Sequence, residues 1–254
     1  ADVSLAWGDY DGDGDLDLAI AGRNNLFAIT IIYENDEGSF TNYTSLTGFY
    51  DCTIAWGDYD NDGDLDLALS GNTDSSRETL VYRNDDGSFV DINAGLPPAS
   101  DCSLAWGDYD NDGDLDLALA GNTDTGLITN IYRNNMAAAN SIPPQPTNLQ
   151  TFVLFGGDVL FLWDTEQDAE TPTAGLSYQL RIGTSAGGNE IYPGHNLPDG
   201  QRLLPQQGLI APRGSDATYH LLSLEPGTYY WTVQAIDSGF EGSSVLNTAI
   251  VTVP

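Results

Sequence analysis

A-W-G-D-Y-D-N-D-G-D-L-D-L-A-L, residues 55–69, recurs letter for letter at 105–119 and, with Gly12 and Ile20 as the two changes, at 6–20. Trp7, Trp56 and Trp106 are thereby 49 and 50 residues apart. A period of that length marks a repeat architecture. A second phrase follows each time: I-I-Y-E-N-D-E-G-S-F at 31–40, L-V-Y-R-N-D-D-G-S-F at 80–89 and a shortened N-I-Y-R-N-N at 130–135. Leu65, Leu67 and Leu69 alternate with Asp66 and Ala68, and Gly71 ends the run. That period of two is a strand signal. Residues 79–83 and 88–92 read as two more strands around an Asp-Asp-Gly turn, and Thr53 to Trp56 as the fourth. Four short strands in ~40–50 residues is the size of one propeller blade. The expected fold of the first half is therefore all-β, with three blades at about 1–48, 49–98 and 99–135. The third lacks the Gly-Ser-Phe and the last strand. A closed propeller takes ~4–8 blades, so missing sequence or other copies of the chain must supply the rest.

The acidic loop inside the repeated phrase carries the chemistry. Counted from its first Asp, positions 1, 3, 5 and 9 are Asp9, Asp11, Asp13 and Asp17 in the first copy. They are Asp58, Asp60, Asp62 and Asp66 in the second, and Asp108, Asp110, Asp112 and Asp116 in the third. Alternate spacing in a tight turn aims several carboxylates into one concavity. Position 6 is Gly14, Gly63 and Gly113, which permits a sharp bend. Position 7 (Asp15, Asp64, Asp114) is expected to offer its backbone carbonyl. All-oxygen ligation fits calcium, which takes ~6–8 oxygens; zinc would want His or Cys, which the loops lack. The expectation is three calcium ions, one per loop. The first six positions follow an EF-hand loop, but position 12 is Ile20, Leu69 or Leu119 where that loop needs Glu, and an alternating strand follows instead of a helix. The bland alternative is three solvated Asp-Gly turns. It leaves five Asp in nine positions, three times over, to repel one another.

These phrases resemble the FG-GAP/VCBS repeats of integrin alpha-subunit propellers and bacterial surface proteins. The likeness rests on Trp56 to Leu67 and Tyr82 to Phe89 with their equivalents, and covers about residues 1–135. It implies a propeller blade with calcium in the hairpin between its first two strands, and no chemistry of its own.

Charge supports a cation-dependent fold. The chain has 254 residues, 38 acidic groups, seven Arg and no Lys, for a formal net charge of −31. Such a chain repels nucleic acid and anionic membrane surfaces, and its self-repulsion opposes compactness until cations bind. No run approaches the ~18 apolar residues of a membrane span, so no membrane insertion is expected. The chain opens inside a repeat and reads as a mature form or a piece of something longer. Two cysteines are no disulfide scaffold. Cys52 and Cys102 share a slot that holds Val3 in the first copy. They read either as small buried side chains or as a bridge between blades. Asn42-Tyr43-Thr44 is the one glycosylation sequon and suggests an exposed loop.

Acidity falls after residue 135, where M-A-A-A-N-S-I-P-P-Q-P (136–146) reads as a linker. Beyond it, Val159, Phe161 and Trp163 alternate, as do Tyr178, Leu180 and Ile182, and Tyr229, Trp231, Val233 and Ala235. Short alternating strands with Gly/Pro turns suggest an antiparallel sandwich over 147–254. The phrases P-P-Q-P-T-N-L (143–149), V-L-F-L-W-D (159–164), L-S-Y-Q-L-R-I-G-T-S (176–185) and L-E-P-G-T-Y-Y-W-T-V-Q-A-I-D (224–237) resemble a bacterial fibronectin type III domain. That resemblance makes Trp163 a core residue, and Leu224 with Tyr229, or else Tyr230, the tyrosine corner. No Arg-Gly-Asp tripeptide is present, so integrin binding is not implied. Residues 187–218 form a turn-rich excursion with no strand assignment.

Gly183-Thr184-Ser185-Ala186-Gly187 matches a nucleophile elbow in letters, yet that motif needs a strand-to-helix turn. The two histidines, His195 and His220, have no evident Asp partner. Paired carboxylates of the glycosidase kind are better explained as metal ligands. The reading is a non-enzymatic, extracellular or cell-surface, calcium-binding structural or adhesion protein. Its expected partners are other copies of itself or other blades, with cell-surface glycans or matrix protein as candidates. The alternative is a carbohydrate- or protein-binding module of a larger secreted protein or enzyme, using Tyr10, Tyr59 and Tyr109 near the loops.

Overall fold

The computed structural model describes residues 3–13, 15–110, 112–136, 140–165, 167–171, 173, 175–194, 196, 202, 206, 208, 210, 217–245 and 247–254, the side chains of 217 and 218 apart. Gly14, His195 and most of the 187–218 excursion lie outside that set. The chain divides into two compact units, Ala1–Ala139 and Asn140–Pro254, and is all-β among the described residues.

In the first unit, strands β1 (Ser4–Gly8), β2 (Asp17–Arg23), β3 (Ala28–Asp36), β4 (Ser39–Gly57), β5 (Asp66–Asn72), β6 (Arg77–Asp85) and β7 (Ser88–Asp91) pair antiparallel in chain order. Strands β8 (Ser100–Gly107), β9 (Asp116–Thr123) and β10 (Gly126–Tyr132) form a separate three-stranded sheet. The first two copies are joined by one unbroken strand and change over between Phe49 and Tyr50. The long β4 closes the sheet of copy one through Ser39–Phe49 and opens that of copy two through Tyr50–Gly57. The junction is rich in Thr, Tyr and Phe and has no proline, so the strand runs on. At the next junction Pro97 and Pro98 cannot donate to a ladder, and the chain is irregular until Ser100. The third copy's last strand is β10, in keeping with its lack of the Gly-Ser-Phe and of a fourth strand segment. Asn42 is exposed but sits within β4, not in a loop.

Two hairpins show why the turn letters recur. Glu37-Gly38 and Asp86-Gly87 all have positive φ (49°, 91°, 49° and 85°), the two-residue turn whose twist matches antiparallel strands.

Each sheet has a large face and a small face. In the second copy Ile54, Trp56, Leu67 and Leu69 share one face, and Thr53, Ala55, Ala68 and Ser70 the other. The large face of copy two packs on the small face of copy one. Trp56 is 7 % exposed, and its indole donates to the Ala6 carbonyl at 3.2 Å. A methyl group on Gly8 would come within 2.7 Å of that ring. Copy three repeats the step on copy two: the Trp106 indole donates to the Ala55 carbonyl at 3.3 Å, and its ring lies 2.6 Å from where a methyl group on Gly57 would be. β5 is thus buried on both faces. Cys52 and Cys102 are free thiols. Each lies against the glycine of the neighbouring strand, Gly71 and Gly121, and burial pushes the Cys52 thiol up to about 11.

In the second unit, β11 (Thr147–Val153), β12 (Asp158–Asp164) and β14 (Ala217–Ser223) form one antiparallel sheet. β13 (Ser177–Gly183), β15 (Gly227–Ile236) and β16 (Ala249–Val253) form another. Val159, Phe161 and Trp163 from the first meet Tyr178, Leu180, Ile182, Trp231 and Val233 from the second in one buried cluster. Phe161 and Trp231 sit edge to face, 5.0 Å between centroids. The Tyr229 hydroxyl donates to the Glu225 carbonyl at 2.9 Å, so Tyr229, not Tyr230, makes the corner bond. Pro143 and Pro146 are buried, and the Asn140 amide donates to Asp237 at 2.8 Å. Residues 140–146 therefore pack as part of this unit, not as a free linker. Of the excursion, Ile210 bridges to Tyr178 and Tyr192 to Ile182. The buried Arg181 donates to the carbonyls of Gly187 and Asn196.

Candidate metal centre

Each acidic loop is the connection between the first two strands of its repeat. Gly8 pairs with Asp17, Gly57 with Asp66 and Gly107 with Asp116 at its base. The first Asp folds the turn. Asp9, Asp58 and Asp108 accept from the backbone N–H of Asp13, Asp62 and Asp112 at 3.1–3.2 Å. Asp58 and Asp108 also accept from Gly63 and Gly113 at 2.9 and 3.0 Å. Those glycines have φ of 98° and 89°, the left-handed region expected for position 6; Gly14 is outside the described residues.

These turns bring three carboxylates together in each loop, with ligand oxygens within 4.8 Å of one another: Asp9, Asp11 and Asp13; Asp58, Asp60 and Asp62; Asp108, Asp110 and Asp116. The remaining acids, and Asp116 as well, shape the loop. The ninth Asp clamps the loop shut. Asp17, Asp66 and Asp116 each accept from the N–H of Tyr10, Tyr59 or Tyr109 through one oxygen. Through the other they accept from Asn35, Asn84 or Asn134 at 2.8 Å. The seventh Asp caps a hairpin: Asp15 accepts from Glu37 N–H at 2.9 Å and Asp64 from Asp86 N–H at 2.8 Å. The third copy has no such hairpin, and Asp114 accepts instead from the Asn61 side chain of the preceding loop at 3.0 Å.

Two oxygens decide how the clusters should be read. Asp60 Oδ1 and Asp110 Oδ1, both at position 3, are buried and accept no hydrogen bond. A buried carboxylate oxygen without a donor is costly, and a hard cation is the partner that chemistry supplies. Burial pushes Asp66 up to about 9, Asp17 to about 7 and Asp60 to about 6, with the neighbouring carboxylates adding to it for each. The donor set is all oxygen and short of positive charge, so the three clusters could hold metal ions, and it suits a hard divalent cation over zinc.

The loops are not equal. In the third, the Arg133 guanidinium lies 2.7 Å from Asp112 and 3.0 Å from Asp110. Its hydrogen bond holds the Asp112 carboxyl below the usual range. That explains why Asp116 replaces the fifth-position Asp in this cluster. Arg83 holds the equivalent place in copy two but pairs with Asp85. Copy one has Glu34 there, which raises Asp11 further.

Sequence reasoning missed the asparagines. Asn84 donates from its side chain to Leu65 O of its own loop and Tyr10 O of the preceding one; Asn134 does the same to Leu115 O and Tyr59 O. The signal was present: each Asn follows the ninth Asp by 18 residues. Of the tyrosines offered for carbohydrate, Tyr10 is 1 % exposed and packed among Tyr43, Trp56 and Phe89, so it cannot stack on a ligand; Tyr109 is 54 % exposed. Ser185 lies in an exposed glycine turn closed by Gly188 N–H on its carbonyl, and no helix follows β13 among the described residues.

Residues 9–69 and 58–119 each match the FG-GAP-like repeat family. Each match runs from one acidic loop through the strand leaving the next, and the second unit lies outside both. Two stretches of the first unit are thus similar to FG-GAP-like repeats, which suggest a propeller-like structural or binding module and often bind calcium. No curated protein matches the chain.

Proposed function

We propose that the first unit is a non-enzymatic, calcium-stapled, propeller-type module of an extracellular or cell-surface protein, with structural or adhesive work as its role. The observation that carries this is the unpartnered, buried Oδ1 of Asp60 and Asp110 inside a loop kept in one register three times. Asp9, Asp11 and Asp13 in the first loop, Asp58, Asp60 and Asp62 in the second and Asp108, Asp110 and Asp116 in the third would hold the ions. The ion would neutralise carboxylates that otherwise repel and would fix the hairpin on which the next repeat packs. FG-GAP repeats are typical of extracellular proteins, and no helix among the described residues is long and apolar enough to cross a membrane. Extracellular calcium is compatible with weak sites of Kd ~10⁻⁴–10⁻³ M. At tenfold the Kd, each site adds about 1.4 kcal/mol.

The second unit fits a fibronectin type III-like spacer: two three-stranded sheets, a buried Trp163 and the Tyr229 corner support that reading. Elemental analysis after dialysis against calcium, with terbium luminescence titration, tests the metal. Three ions per chain are expected, and two after Asp60→Asn. Absence of bound calcium at millimolar concentration would sink the proposal.

A further inference from the structure

The two outer faces of the first unit are the two halves of a joint that its interior makes twice. Inside, a large face always sits on a small face. At the start of the series the large face of copy one is uncovered: Leu5 is 58 % and Trp7 56 % exposed, against 7 % for both Ile54 and Trp56 in copy two. At the end the small face of copy three is uncovered. Ile131 is 57 % exposed, whereas its counterparts Ile32 and Val81 are 0 % and 3 %. Tyr109 is 54 % exposed where Tyr10 is 1 %. The glycine slots agree: Gly8 and Gly57 are filled by the next copy's Trp, while a methyl group on Gly107 would meet nothing within 4 Å.

We propose that this chain self-associates head to tail, with the Leu5/Trp7 face of one copy seated on the Ala105/Gly107/Ile131 face of another. The proposal rests on the structural-module reading above and names its partner and surface. By the internal pattern, the Trp7 indole donates to the Ala105 carbonyl of the second copy. Asn35, which reaches only Leu16 O within its own chain, takes Tyr109 O as Asn84 takes Tyr10 O. The joint is also adapted at its rim. The internal steps carry Arg23–Asp74 and Arg77–Asp124 ion pairs. On the end face the Arg77 position is Leu127, 86 % exposed, and the turn it would face carries Leu26 and Phe27, 72 % and 61 % exposed. Leu127 thus stands in place of the Arg, and in the facing turn the Asp position is the uncharged Asn25, flanked by exposed Leu26 and Phe27. Because the two faces differ, the contact is heterologous and propagates into a ring or a filament.

Sedimentation velocity of the full chain over a hundredfold concentration range, in calcium, tests this. Mass rising with concentration is expected, together with a blue shift of tryptophan emission, since Trp7 is the one exposed tryptophan of five. Gly107→Leu fills the slot without touching its own chain, so it should keep the melting temperature and raise the association midpoint ~10-fold or more. Trp7→Ala should do the same from the other side. Mixed, the two variants should form a 1:1 complex and stop, because each retains one working face. A wild-type chain that binds calcium yet stays monomeric throughout overturns the joint while leaving the metal reading intact. Association undiminished in both single variants overturns it as well. Loss of calcium binding with assembly retained breaks the metal reading alone.

Discussion

The two units of this chain solve the same problem, holding sheets together, with opposite materials. In the second, two three-stranded sheets close over Phe161, Trp163, Tyr178 and Trp231, and apolar burial supplies the stability. In the first, small-on-large sheet packing is just as apolar, but every repeat also drives an acidic loop against the next one. It holds 27 of the 38 acidic residues, and its most buried carboxylate, Asp66, is pushed up to about 9. A core of carbon is stable in any salt. A core that ends in carboxylates, on the calcium reading proposed above, is completed by a cation, which would make one unit conditional and the other not.

Chelation should separate them most. In calorimetry, EDTA is expected to lower the first unit's transition by roughly 10–20 °C, as three sites of about 1.4 kcal/mol each imply. The second unit's transition should not move. Parallel loss in both would break the contrast. The reverse perturbation is Trp163→Ala, which removes one of the two largest fully buried side chains of the second core and should cost about 3–5 kcal/mol there. Calcium titration of that variant should be unchanged.

Proton linkage sharpens the comparison within one scan. Burial raises Asp66 to about 9 and Asp237 to about 8. A raised carboxyl favours the folded state while it stays protonated. That stability is full below the unfolded value of ~3.9 and is lost as pH climbs to the folded value. Without metal, both units should therefore lose stability between pH ~4 and pH 8–9. Calcium should cancel the loss in the first unit alone, because it favours the ionised loop. Asp237→Asn should flatten it in the second; thermal melts across pH read both.

The smallest effect lies among the loops. Arg133 competes for Asp110 and Asp112, so Arg133→Ala should tighten the third site only by a few-fold, as befits an exposed, solvent-screened pair. Titration by terbium luminescence would show it as a narrower spread of affinities. An unchanged isotherm would mean that the ion pair does not compete.

Much of this was legible in the chain. Trp-Gly-Asp at a spacing of 49–50, the alternation around Leu67 and the position-6 glycines gave the strands, the hairpin loops and the candidate ligands. All of these are local, and period and turn chemistry act locally. Less legible was the division of labour among the acids. The ninth Asp reads as a ligand, and Asp116 does sit in its cluster; that it also accepts from an Asn N–H 18 residues away shows only in the structure. The seventh reads as a backbone-carbonyl donor, and only the structure shows its side chain accepting from a hairpin N–H.

The sequence by itself determined that this protein repeats, that its repeats are strands, and that its acids gather in nine-residue loops. Only the tertiary structure decided which carboxylates face one another without a donor, and which faces remain uncovered. Identical phrases cannot announce that Trp7 stands in the open while Trp56 and Trp106 are buried. Their letters are the same, and their exposure depends on whether a neighbouring sheet lies over them.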